Sequence, residues 1–219
     1  AFSFHSIKLA AQILSPMPEL PEVEVLVRHL RLLVTGKVIR RVAVCRERVI
    51  SPTPRRQLQQ RLKDARILGL ERRGKYLVFE LRRVGEKETF MLLGHLGMTG
   101  RMFVVKRGVP LPKHTAVWFD FGRERFVYED PRYFGRMTLD SSALAQLGPE
   151  PLSDEFTPSC FATALRRSSQ AIKVKLLDQT VVAGVGNIYA SEALFRAGIS
   201  PRLAARRLNE AQVRRLRQT

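Results

Sequence analysis

The chain has 219 residues, of which 38 are Lys or Arg and 20 are Asp or Glu, giving a net charge of +18 at pH 7. Apolar residues make up 45% of it, enough to bury a core, which excludes a chain disordered throughout. No run of about 18 uncharged apolar residues occurs, which excludes a membrane-spanning helix.

Residues 1–16, AFSFHSIKLAAQILSP, are mildly apolar and read as a leader or upstream extension outside the fold, because Met17 opens a far more patterned stretch. Residues 21–34 have the spacing of an amphipathic helix. Pro21 sits at its start, Glu22 and Glu24 suit the positive end of the helix dipole, and Gly36 follows its end. From 38 to 140 the pattern changes to short β-type runs: VIRRVAV, ARILGLERR, KYLVFEL, TFMLLGHL, GRMFVV, AVWFDF and RFVYED. Gly, Pro or charged turns separate them, which predicts an antiparallel sandwich or barrel. Residues 54–64 fit a short helix between strands.

Pro149 and Pro151 mark a boundary, and the pattern after them is helical. Thr157 as N-cap and Pro158 at the first helical position open a helix over 158–167. Helices over 170–179 and 187–197 follow, the latter closed by Gly198. A fourth begins at Asn209, with Val213 and Leu216 on one face, and the sequence stops at Thr219. The chain is expected to continue beyond it.

The positive charge is spread over both parts. Residues 1–150 hold 27 basic against 15 acidic residues, and 151–219 hold 11 against 5. Arg outnumbers Lys by 29 to 9, and the guanidinium fork matches phosphate geometry. Nucleic acid is therefore the leading partner, since a compact particle of this charge repels itself unless a polyanion neutralises it. Cys45 and Cys160 stand far apart, which excludes a disulfide framework and a four-cysteine zinc site within the chain. Reduced thiols are the default.

Five segments carry candidate chemistry. In Met17-Pro18-Glu19-Leu20-Pro21-Glu22-Val23-Glu24, a start at Met17 followed by its removal leaves Pro18 with a free secondary amine. An α-amine has a pKa of about 8, so part of it is unprotonated at neutral pH and can attack a sugar C1′ to form an iminium. Glu19 beside it is a candidate acid/base. In Arg72-Arg73-Gly74-Lys75, the neighbouring arginines are expected to lower the Lys75 pKa, although a lysine of this kind alone reads as a solvated turn residue. Gly94-His95-Leu96-Gly97-Met98-Thr99-Gly100 reads as a loop presenting Met98, which alone would pass for core; His95 reads as a satisfied core or turn histidine. Asp130-Pro131-Arg132-Tyr133-Phe134-Gly135 offers a cation and an aromatic together, a pair able to wedge into a base stack and bond an orphaned base. Lys173, followed by Gly184-Val185-Gly186-Asn187, leads into a helix N-terminus suited to phosphate.

Taken together from Met17 to the chain end, these segments resemble the formamidopyrimidine-DNA glycosylase / endonuclease VIII family. PELPEVE, with Leu20, looks like the formamidopyrimidine branch. LGPEPLSDEF and GVGNIYASEALFRAGISP look like the family's helix–two-turn–helix module. The resemblance implies an α+β fold: an N-terminal β-sandwich with flanking helices, then an all-α helix–two-turn–helix domain. The domains expected are a catalytic sandwich over 17–140, a linker over 141–150 and an incomplete DNA-binding domain over 151–219.

The resemblance also implies roles. Pro18 is the nucleophile, Glu19 the acid/base and Lys75 the phosphate-contacting proton donor. Met98, Arg132 and Phe134 fill the void left by a flipped nucleotide, and His114, Lys173 and Asn187 contact DNA. The implied activity is base-excision repair: excision of oxidised purines (8-oxoguanine, formamidopyrimidines) from duplex DNA, then β,δ-elimination at the abasic site. The alternatives are a non-catalytic damage-binding remnant and an oxidised-pyrimidine glycosylase of the sister branch. The implied partner is double-stranded DNA with oxidised bases or abasic sites, bound by a monomer in a bacterial cytoplasm without membrane contact. No cofactor or metal is expected in this chain; a structural zinc belongs to the family's C-terminal zinc finger, whose cysteines these residues lack. Two departures bear on DNA affinity: Tyr133 stands where Arg or Lys is frequent, and Ser168 lies in a helix end that is often more basic. Both are expected to trim it.

Overall fold

A computed structural model describes residues 18–219, which form two compact units divided between Ser141 and Ser142. The leader expected over 1–16, and Met17, lie outside the described residues.

The first unit begins with helix α1 (Leu20–Val34), whose Leu20, Val23, Val27, Leu30 and Val34 are buried at helical spacing. It lies on β2 (Ala65–Arg73) and is anchored there by Arg31, whose Nε donates to the Leu70 carbonyl at 2.7 Å. Strand β1 (Arg41–Val44), a 3-10 turn (Glu47–Ile50) and α2 (Arg55–Leu62) lie between α1 and β2. Then come β3 (Tyr76–Arg83), β4 (Thr89–His95), β5 (Arg101–Lys106), β6 (Thr115–Asp120), β7 (Glu124–Glu129) and β8 (Arg136–Thr138).

All pairings are antiparallel. One sheet has the order β2-β3-β4-β8 and the other β1-β6-β7-β5. Alternate residues of both face a shared core that includes Phe79, Phe119, Phe126 and Tyr128. Phe79 meets Phe126 edge-on at 5.7 Å, and Phe119 stacks on Phe126 at 5.1 Å, so aromatic rings from both sheets lock the sandwich.

The second unit is helical: α3 (Ser142–Ala145), α4 (Pro158–Leu165), α5 (Ile172–Leu177), α6 (Asn187–Arg196), a 3-10 turn (Ala205–Arg207) and α7 (Glu210–Gln218). Its own core gathers Phe156, Phe161, Leu165, Ile172, Leu176, Leu194, Val213 and Leu216. Thr157 caps α4 by accepting from the Cys160 amide (3.1 Å), and Asn209 and Gln212 close a capping box on α7.

Several boundaries differ from the sequence expectations. The run at 38–44 is strand only from Arg41, because the 36–40 segment is taken up by bonds to Ala65 and Ile67 and a bridge between Val38 and Arg66. The helix expected over 170–179 is confined to Ile172–Leu177; Asp178 leaves the helical region and its side chain bonds Thr180 instead. The segment 141–150 contains the short helix α3 rather than a bare linker. Strand β8 has no counterpart among the expected runs, since its three residues carry too short a pattern. Among the described residues no helix is long and apolar enough to cross a membrane.

Candidate functional site

Glu19 is the N-cap of α1 and only 1% exposed. A capping box holds it: the Glu22 side chain accepts from the Glu19 amide at 3.0 Å, and the Glu19 side chain serves the Glu22 amide in return. The half-buried Pro18 precedes it. The helix start thus fixes the position of the Glu19 carboxyl, directly after Pro18 in the chain.

Lys75 closes the tight β2–β3 turn after Gly74, whose φ of +56° suits glycine. Burial lowers the Lys75 pKa, while the negative charges of Glu19 and Glu22 hold it up. The direction is the one the sequence suggested, but the cause is corrected: desolvation does the lowering, not repulsion from arginines. Arg72 is committed elsewhere, with Nε donating to Glu24 (2.8 Å) and Nη1 to the Gly74 carbonyl (3.0 Å). The coupling places the Lys75 amine in the field of Glu19. Next to it, His95 packs its ring on Tyr76 at 4.9 Å and accepts the Gly97 amide on Nδ1 at 3.0 Å. Its pKa is lowered to about 4 by burial first, then by Lys75 and Arg136, so it is neutral at pH 7.

The Met98 turn and the Arg132–Phe134 loop meet over one buried carboxylate. Asp130 is 0% exposed. Its Oδ1 accepts from Thr99 Oγ1 (2.6 Å) and the Arg132 amide (3.1 Å), and its Oδ2 from the Gly135 amide (2.9 Å) and Tyr128 hydroxyl (3.3 Å). The two loops touch backbone to backbone: a side chain at Gly97 would strike the Gly135 nitrogen at 2.6 Å. Above this base Met98 is half-buried, Arg132 is exposed and Phe134 is 43% exposed. Arg132 stacks over the Phe134 ring at 4.7 Å, and Arg48 from the first 3-10 turn lies at 5.7 Å.

His114 joins the same cluster. Its carbonyl accepts from the Asp130 amide at 3.1 Å, and its ring faces Tyr133 at 6.5 Å. Tyr133 occupies the left-handed region (φ 53°), with Arg46 at 5.4 Å over its ring. The first unit thus brings Met98, His114, Arg132 and Phe134 together, and Lys75 to Glu19.

In the second unit, Lys173 is half-buried in the first turn of α5, and Asn187 is exposed as the first residue of α6 after Gly186. The loop before α6 is built on Gln179. Its Nε2 donates to the Leu177 (3.0 Å) and Val185 (2.9 Å) carbonyls, and its Oε1 accepts from the Gly184 amide (2.8 Å). Asp178 is held charged, its pKa pulled down to about 2 by Lys175 (2.7 Å) and Thr180.

Sequence reading passed over Asp130, Arg48 and Gln179. Asp130 opens its loop next to a proline, the usual place of a side chain that caps a turn, and that signal was available. Arg48 and Gln179 carried none, because only the fold brings them to their partners. Among the described residues no group of three His, Cys, Asp or Glu is placed to hold a metal ion.

Comparison with known proteins agrees with this geometry. Residues 17–137 match the formamidopyrimidine-DNA glycosylase N-terminal domain, and residues 147–219 match the formamidopyrimidine-DNA glycosylase H2TH domain. The Carboxydothermus hydrogenoformans formamidopyrimidine-DNA glycosylase is 42% identical over 200 residues, covering 91% of this chain and 73% of that protein. That of Acidiphilium cryptum is 43% identical over 208 residues, covering 91% and 72%. Among solved structures, a Lactococcus lactis Fpg mutant in complex with DNA containing Fapy-dG superposes with a TM-score of 0.84 at 35% identity, over 92% of this chain and 74% of that one. The Lactococcus lactis Fpg with DNA containing an abasic site gives 0.83 at 35% identity, over 91% and 75%.

Proposed function

The chain belongs to the formamidopyrimidine-DNA glycosylase family, and from that premise we propose that it is a base-excision repair enzyme that removes oxidised purines from duplex DNA and cleaves the abasic strand through an iminium at Pro18. The observation that supports this reading best is the pairing of a buried N-cap carboxylate, Glu19, with the adjoining Pro18 and with an amine, Lys75, that feels its charge.

A base cannot be attacked inside the stack, so the nucleotide is turned out and its place filled. Met98, Arg132 and Phe134 are the filling residues in this reading, with Arg132 toward the orphaned base. His114, Lys173 and Asn187 hold the backbone on either side. The Pro18 nitrogen then donates its lone pair to C1′, and the bond from C1′ to the base breaks with its electrons leaving on the base. The Pro18 nitrogen, positively charged after attack, passes its proton to Glu19, which gives it to O4′ as the C1′–O4′ bond breaks and the iminium forms; this requires Pro18 to be N-terminal, since an amide nitrogen has no available lone pair. Loss of a C2′ proton expels the 3′ phosphate, with Lys75 serving that phosphate, and a second elimination expels the 5′ phosphate.

Borohydride trapping tests the proposal. A chain beginning at Pro18, incubated with a duplex holding 8-oxoguanine opposite cytosine, gives on reduction a covalent adduct that maps to Pro18. The same chain with residues 1–17 retained gives none. An adduct on any other residue, or none from the Pro18 chain, defeats the proposed chemistry. Oxidised-pyrimidine duplexes form the second arm, because a Lactococcus lactis Fpg structure contains such DNA.

A further inference from the structure

The sandwich has two ends, and the site occupies one of them. Lys75, His114 and Asp130 stand at one end of β3, β6 and β7. Those strands run away from them for eight, six and six residues, about 20–26 Å of extended chain. At the far end lie two open depressions. One, of about 420 Å³, is lined by Lys37, Arg40, Arg107 and Arg123 together with Glu124. The other, of about 230 Å³, is lined by Arg66, Arg82 and Arg83 with Glu86. They adjoin across the 36–40 segment, where Arg66 Nη1 donates to the Gly36 carbonyl at 2.9 Å and Lys37 begins the larger depression.

The two acids that line the depressions are already occupied. Glu124 pairs with Lys37 (2.9 Å), and Glu86 pairs with Arg83 (2.9 Å) and Arg61 (3.3 Å). Asp120 accepts from the Gly122 amide. Arg40, Arg66, Arg82, Arg107 and Arg123 are exposed and have no acidic partner among the described residues. Two further observations show that this is more than scattered surface charge. Arg66 and Arg82 are directly opposite in the β2–β3 register, a like-charge pair that destabilises a sheet unless an anion lies between. Arg40 is set against Gly122, where any side chain would meet its guanidinium carbon at 3.0 Å, so the glycine keeps that cation's place open.

We propose that this end of the sandwich is a second phosphodiester-binding face, which holds another segment of DNA while the first occupies the site. It rests on the reading that the protein works on DNA, and it adds a consequence: the enzyme passes directly from one duplex to another through a state in which both are bound. Cationic, concave and unpaired, the face suits a phosphate backbone and offers no means of reading sequence.

The test uses the chain beginning at Pro18 and a variant of it carrying Arg40→Gln, Arg82→Gln, Arg107→Gln and Arg123→Gln. A fluorescent undamaged duplex is displaced by rising concentrations of unlabelled duplex in stopped flow. For the parent, the observed dissociation rate is expected to rise in proportion to competitor; for the variant, it is expected to stay flat. The slope of log affinity against log salt should fall by about 2–4. Single-turnover excision from a lesion duplex should be unchanged in the variant. A parent rate independent of competitor, or a variant that behaves as the parent, overturns the proposal. So does a parallel loss of excision, which would make these arginines part of the first DNA site. Displacement by poly-glutamate as effective as by DNA at equal charge also overturns it, because the face would then favour acidic protein. The displacement assay needs no catalysis, so it reads even if excision fails.

Discussion

Thr99 Oγ1 donates to Asp130 Oδ1 at 2.6 Å, and that bond ties the turn carrying Met98 to the loop carrying Arg132 and Phe134. The same carboxylate takes the Arg132 and Gly135 amides and the Tyr128 hydroxyl, and among the described residues no Lys or Arg forms an ion pair with it. The three residues proposed to enter the DNA therefore share one foundation, and they should insert as a unit.

Replacing Asp130 by Asn keeps the shape but exchanges an acceptor for an NH2 group facing donors on either side. Unfolding in urea is expected to show a loss of about 2–3 kcal/mol, the scale for buried bonds to a charged group. Thr99→Val removes one of the four donors and should cost less, about 1–2 kcal/mol. Both should slow excision from a lesion duplex more than they weaken binding to an abasic one, because the flipped state needs the wedge and an abasic site needs less of it. Equal costs for the two variants would show that Asp130 is not the shared support.

His95 sets a pH dependence whose sign follows from its pKa. The folded value is lowered to about 4 from an ordinary value of 6.5, so between these the unfolded chain binds more protons. Stability from this group is full above pH 6.5 and is lost as pH falls toward 4. The loss amounts to about 3 kcal/mol at most. His95→Gln, which can accept the Gly97 amide without titrating, should flatten that limb in a chemical-denaturation series between pH 4 and 7. An NMR titration of the His95 ring with a midpoint near 6.5 would defeat the argument.

Lys75 and Glu19 form a second electrostatic test. Burial lowers the Lys75 pKa, and Glu19 partly restores it. Removing the Glu19 charge with Glu19→Gln should lower the Lys75 pKa further, measurable by ¹⁵N NMR of the side-chain amine. Because the charged form is the one disfavoured by folding, stability from this lysine rises with pH through its folded pKa. Lys75→Met should therefore leave stability at neutral pH unchanged or raised, while strand cleavage falls on the order of a hundredfold, the scale of a lost proton transfer. A destabilised Lys75→Met would mean that its ion pairing, not its chemistry, is what the site requires.

Much of this was legible in the sequence because it is local. The α1 stripe, the strand runs between glycine and proline turns, and the Thr157 and Asn209 caps all depend on residues within a few positions of each other. Pro18, Glu19 and Lys75 could be named from their own segments. Arg48 and Gln179 could not, since their partners lie up to 86 residues away or within a loop whose path only the fold fixes. The cause of the Lys75 shift was misread for the same reason: sequence shows Arg72 beside it, but not that Arg72 turns to Glu24 and that burial does the rest. Strand β8 was missed because three residues have no period.

The second unit offers the clearest separation of architecture from contact. Asn187 is exposed and open to a phosphate, whereas the Gln179 amide is spent on the Leu177 and Val185 carbonyls and the Gly184 amide, in the loop that leads to Gly186 and Asn187 at the start of α6. Gln179→Ala deletes three bonds, leaving two carbonyls and an amide without that partner, and should cost about 1–3 kcal/mol of stability in this unit. Asn187→Ala should leave stability unchanged, weaken DNA binding by about tenfold and reduce the salt slope by about one, as expected for a single phosphate contact. Gln179→Glu keeps an acceptor for Gly184 but places a charge against two carbonyls, so it should resemble Gln179→Ala in stability and lower DNA affinity further. If Gln179→Ala weakens binding without loosening the loop, seen as unchanged amide exchange at Gly184 and Val185, then Gln179 touches DNA itself and the division of labour drawn between these two residues is wrong.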